Sequence, residues 1–117
     1  MTCFKPIPLK SSIATLLLLG TAGLQAHAQV LYSDKKITTL QAFYDGADCV
    51  FFKLEGVTQA DPVKPNDPMF AIAATQPGAK NAYAALLGAK LSGLTPIVRT
   101  RGNLVCGYAG VAEVILP

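Results

Sequence analysis

Three cysteines, seven carboxylates, one histidine and a scatter of arginine, lysine and tyrosine carry whatever chemistry this 117-residue chain performs. Cys3 and His27 fall in a segment with the three-part pattern of a secretory leader. Lys5 and Lys10 precede an apolar run from Ile13 to Leu24, and Gln25-Ala26-His27-Ala28 offers small residues at the two positions a signal peptidase reads. As a helix that run of 12 residues is about 18 Å long, well short of the ~30 Å of a bilayer core, so the reading is a cleaved leader rather than an anchor. Cleavage after Ala28 leaves one domain, residues 29–117, without histidine. Ser-His-Asp and Cys-His catalysis and histidine-containing zinc sites then drop out.

Two cysteines remain, Cys49 and Cys106, and in an exported small chain they are expected to form a disulfide. With both bridged, no thiolate is left for a metal or for nucleophilic attack. Asp45 and Asp48 flank a turn, where aspartate is favoured for its backbone hydrogen bonds, so they read as turn residues rather than a catalytic pair. Asp61, Asn66 and Asp67 lack the alternating ligands and closing glutamate of a calcium loop, and prolines interrupt them. Gly102, Gly107 and Gly110 have the wrong spacing for a phosphate loop and no helix after them; they read as turn or bulge glycines. The expectation is a non-enzyme with no catalytic residue, metal or cofactor. Carboxylate-only catalysis through Asp45 and Asp48 is the enzymatic alternative.

What remains is binding chemistry. Arg99 and Arg101 share a strand face, as do Lys53 and Glu55. One reading is a solvated outer surface. The other is a polar rim for a carbohydrate or an acidic partner, helped by Tyr44 and Tyr108, since tyrosine combines apolar area with a hydrogen-bonding hydroxyl. The candidate ligand residues are therefore Tyr44, Lys53, Arg99, Arg101 and Tyr108. Removing the leader takes away two of ten basic residues and none of the seven acids, leaving a net charge near +1. A nearly neutral domain lacks the electrostatic footprint of a nucleic-acid binder. No second apolar run approaches membrane length, so no stable membrane insertion is expected once the leader is gone.

The elements that must position these residues are short. Residues 29–36 read as a polar lead-in. Ile37 to Tyr44 and Cys49 to Glu55 read as two strands around an Asp-Gly turn, the second alternating with Val50, Phe52 and Leu54 on one face. Pro62, Pro65 and Pro68 make residues 56–68 a loop. Met69 to Ala74 is a third strand. Asn81 to Ser92 is a helix, with Tyr83, Leu86, Leu87, Lys90 and Leu91 at helical spacing and Gly93 as its stop. Thr95 to Arg101 and Val111 to Leu116 are the fourth and fifth strands, separated by a turn at Gly102-Asn103. The order β-β-β-α-β-β is that of a five-stranded OB-fold-like Greek-key barrel. In such a barrel the first and fourth inter-strand loops lie together, where Cys49 and Cys106 would meet.

The run Cys49-Val-Phe-Phe-Lys-Leu-Glu-Gly56, followed by Tyr83-Ala-Ala-Leu-Leu and Gly93-Leu-Thr-Pro-Ile-Val-Arg99, resembles small secreted bacterial OB-fold proteins. Among these the chain is most similar to the binding subunit of subtilase-type AB5 toxins and its stand-alone relatives. The resemblance spans Ile37 to Leu116 and implies an OB-fold, a ring-shaped homopentamer and glycan recognition. Together these point to an exported binding module, periplasmic or secreted, oligomeric, with a glycan or an envelope or host protein as partner. The alternative is a small periplasmic structural or inhibitor protein that acts through protein contacts, with the segment from Asp61 to Pro68 as its inserting loop.

Overall fold

The computed structural model describes residues 29–42, 45–46 and 48–117. The expected leader and Tyr44 lie outside the described residues. The chain runs β1 (Leu31–Tyr32), β2 (Ile37–Gln41), β3 (Cys49–Leu54), β4 (Phe70–Ala73), α1 (Ala79–Ser92), β5 (Ile97–Val105) and β6 (Tyr108–Ile115). The fold is mainly β. There are six strands rather than the expected five, because the lead-in contains β1, which pairs antiparallel with β5 through Leu31–Arg99 and Tyr32–Val98. Exposed polar residues at 33, 34 and 36 mask a strand only two residues long. Tyr32 anchors it: its ring meets Phe70 edge-on at 5.5 Å, and its hydroxyl donates to the carbonyls of Gln59 and Ala60 at 2.8 and 2.9 Å.

All six strands join one sheet in the order β1-β5-β6-β4-β3-β2, with β4–β6 the parallel pair. The two outermost strands are consecutive in the chain. From Tyr32 to Ile37 five residues reach about 18 Å at full extension, whereas six flat strands spread over about 24 Å. The sheet therefore curls until its edges approach. Inside the curl, Phe52 stacks on Phe70 with ring centroids 4.9 Å apart, and Leu54, Ile72, Val98 and Val111 close the core around them.

The helix packs on this core by its small residues. Ala79, Leu86 and Ala89 are buried and Ala82 is half-buried, while Leu87 and Leu91 face outward, Leu91 with 79% of its surface exposed. Of the residues expected to define the helix by periodicity, only Leu86 reaches the core; alanine lets the backbone sit close to the sheet, which larger side chains would not. The helix begins at Ala79, two residues earlier than expected, and ends at Gly93, whose φ of 74° suits a glycine cap. Lys90 reaches across to the carbonyl of Thr38 on β2 at 3.4 Å.

Two further expectations are corrected. The turn at Gly102-Asn103 is instead part of β5. The chain reverses at Cys106-Gly107, where φ is 52° and 81°, the signature of a two-residue hairpin turn, and Val105 pairs with Tyr108 across it. Gly102, at φ 80°, marks a bulge: the three residues between Thr100 and Leu104 lie opposite a single residue, Gly110, between Val111 and Ala109. Second, β3 is not half-buried. Val50, Phe52 and Leu54 face the main core as the alternation predicts, but Cys49 and Phe51 on the other face are also buried, in a smaller cluster with Ala71, Met69, Val105 and Tyr108. Beside that cluster the β5 bulge folds over Gly110, where a Cβ would stand 2.6 Å from a methyl of Val105 and 3.1 Å from the carbonyl oxygen of Asn103.

Candidate functional site

Cys49, the first residue of β3, is bonded to Cys106 in the β5–β6 turn, with Cα atoms 6.6 Å apart and a separation of 57 positions in sequence. The bridge is the one the cysteine count predicts, and it joins the loop that ends at β3 to the hairpin tip. It also holds Cys106 in a left-handed conformation that a residue with a side chain rarely adopts.

Tyr108 stands directly beyond this bridge, and its ring already has two partners. Phe51 meets it edge-on at 5.4 Å, and the ammonium of Lys64 lies 3.8 Å from its centroid. Lys64 donates to the carbonyl of Gly107 at 2.7 Å and pairs with Asp67 at 3.5 Å. The lysine and the ring are thus fixed to each other. Lys53 lies on the same outer face of β3 as Phe51, two residues along the strand and opposite Thr39 of β2.

Arg99 and Arg101 share the exposed outer face of β5 but are not gathered around Tyr108. Arg99 pairs with Glu113, its register partner on β6. Arg101 has no ion-pair partner among the described residues. The five sequence candidates therefore resolve into Lys53 with Tyr108 on one strip of outer sheet, Arg99 with Arg101 on another, and Tyr44 outside the described residues. Sequence reasoning missed Phe51 and Lys64. Phe51 looked like the outer half of an alternating strand, and Lys64 sits between prolines with no local pattern to mark it.

The proline-rich loop is pinned at both ends. Ala60 is fully buried and Asp61 retains 2% of its surface. One Asp61 oxygen accepts from the Val63 amide at 2.8 Å, and the other accepts from the Thr100 hydroxyl. Asp67 likewise accepts from the Met69 amide at 2.9 Å. Both acids do turn chemistry, one on the inside and one on the outside. The Thr100 hydroxyl in turn accepts from the Val30 amide at 2.9 Å, so the loop, β5 and the segment entering β1 share one hydrogen-bonded chain. Burial, with the Asp61 charge adding to it, raises the Tyr32 hydroxyl above the ordinary phenol range.

Between the first turn of α1 and β6 lies a groove of about 290 Å³. Its floor is Ile72 and Val111 with Ala82 beside them; Gln76, Asn81 and Glu113 bring polar groups to it. Gln76 donates to the Val111 carbonyl at 3.3 Å. The sequence marked Gln76-Pro77-Gly78 only as a break before the helix, and nothing local ties Gln76 to Glu113. Among the described residues no helix is long and apolar enough to cross a membrane. No known protein family, curated protein or solved structure matches the chain.

Proposed function

We propose that this chain is an exported, non-enzymatic binding module on an OB-type barrel, with a glycan as its ligand and a ring of identical copies as its working form. The observation that carries the reading is the strand order. Apart from β1, neighbours run β2-β3-β4-β6-β5, with β4 parallel to β6 and the helix between β4 and β5. Taken as two halves of one bent first strand, β2 pairs with β3 and β1 pairs with β5, the pairing that closes a five-stranded Greek-key barrel. Barrels of this kind bind oligosaccharides and oligonucleotides on their strand faces and at the loops that flank them. The disulfide supports the same reading, since it rigidifies two of those loops and is compatible with an oxidising compartment. The near-neutral charge of residues 29–117 favours a glycan over a nucleic acid. Native mass spectrometry of the exported protein, paired with a glycan array, tests the proposal. The expected result is an oxidised chain beginning at Gln29 that forms a discrete ring and retains glycans. A monomer that retains none overturns it.

A further inference from the structure

We infer that the groove between α1 and β6 is a subsite for a single neutral pyranose ring; the inference rests on the glycan reading above and places its contacts. The outer face near the disulfide is a poor platform for a sugar, because the Lys64 ammonium already sits over the Tyr108 ring and Phe51 meets that ring in a T-shaped contact. The groove offers unused hydrogen-bonding capacity instead. Asn81 is exposed, and its amide, with two donor hydrogens and an acceptor oxygen, has no partner among the described residues. Gln76 uses one donor on Val111 and keeps its acceptor oxygen. Glu113 gives one oxygen to Arg99, which leaves the other to accept.

Donors and acceptors thus stand side by side over an apolar floor of Ile72, Val111 and Ala82. A pyranose has the matching pattern: hydroxyls that both donate and accept around its rim, and C–H groups on its faces. A volume of about 290 Å³ is at the small end for ligand pockets and suits one ring rather than an extended chain. Charge sets the class. Among the described residues that line the groove the one carboxylate, Glu113, is neutralised by Arg99, so the pair offers no net attraction to an acidic sugar and its free oxygen repels one.

The test uses the full oxidised protein. Wild type, Asn81→Ala and Glu113→Gln are titrated with neutral and acidic oligosaccharides, and the side-chain amide signals of Asn81 and Gln76 are followed by NMR with free neutral hexoses. The inference expects wild type to prefer neutral termini, each groove variant to bind about tenfold more weakly, and both amide signals to shift on titration. Amide shifts with free hexoses uphold the groove even if the array shows no retention, an outcome that removes the multivalent glycan reading alone. Glycan binding that survives Asn81→Ala but is lost in Lys53→Ala or Arg101→Ala overturns the groove and leaves the glycan reading standing. No retention and no amide shift overturn both. Thermal melts of each variant separate lost contacts from lost fold.

Discussion

The curled sheet is held at two seams along β5, and they are built differently. Near the start of β5 the seam is polar and non-covalent: Val30, Thr100 and Asp61 pass hydrogen bonds from the segment entering β1 to the loop at residue 61. At its far end the seam is covalent, with Cys49 bonded to Cys106 over the Phe51–Tyr108 contact. The proline-rich loop touches both, the polar seam through Asp61 and the covalent one through Lys64, which donates to the Gly107 carbonyl. A buried hydrogen-bonded group is costly to break from one side only, because its partner is left unsatisfied. A crosslink acts mainly by restricting the unfolded chain. One seam therefore derives its strength from the folded state and the other from the unfolded one.

Breaking the covalent seam has the largest expected effect. Replacing Cys49 and Cys106 together by serine removes a crosslink that closes a 57-residue loop, a loss of about 4 kcal/mol. For a small domain whose total stability is of order 5–15 kcal/mol, this decides whether it stays folded. The urea midpoint should fall steeply, and an unchanged midpoint would remove the entropic account. The polar seam comes next. Thr100→Val keeps the shape but leaves an Asp61 oxygen and the Val30 amide without their partner, at a cost of about 1–3 kcal/mol. Combining the two changes sharpens the comparison: losses that simply add mean the seams are independent, and losses that do not add mean the loop couples them.

The smallest effect lies at Tyr32. Its hydroxyl holds its proton more tightly folded than unfolded, where the phenol titrates near 10. The stability this contributes is complete below that pH and is lost as the pH rises through the folded value. Denaturant midpoints measured from neutral to alkaline pH should decline less steeply in Tyr32→Phe than in wild type. Parallel curves would show that the hydroxyl has no part in the alkaline loss.

Much of this arrangement could be read from the residues, and the parts that could not have a common cause. Alternation revealed the inner face of β3 because Val50, Phe52 and Leu54 contact a core that every strand shares. It could not reveal that Phe51 is covered too, since the cover comes from Val105 and Tyr108, more than fifty residues later. The cysteine count predicts the bridge, but local preference favours a turn at Gly102-Asn103 over Cys106-Gly107. The left-handed cysteine is held by its bond to Cys49, a partner no local window contains. Of the binding candidates among the described residues, Arg99 and Arg101 are exposed and Lys53 and Tyr108 half-buried, and their grouping depends on bulges and register, which spacing along the chain does not encode. Helical spacing predicts the helix but not its inward face, because that face is built from Ala79, Leu86 and Ala89 while apolar residues also occur on the outer side.

Gly110 bears on how far this sequence can drift. At Gly107 the restriction is conformational, and asparagine or aspartate, which tolerate positive φ, are the natural replacements. At Gly110 the backbone is ordinary and the restriction is space: even alanine meets the Val105 methyl and the carbonyl of Asn103. Divergent descendants of this chain can therefore vary at the turn and still keep the hairpin, whereas a substitution at 110 must be accompanied by a rebuilt bulge. That links the ancestry of one glycine to the ancestry of the segment lying over it.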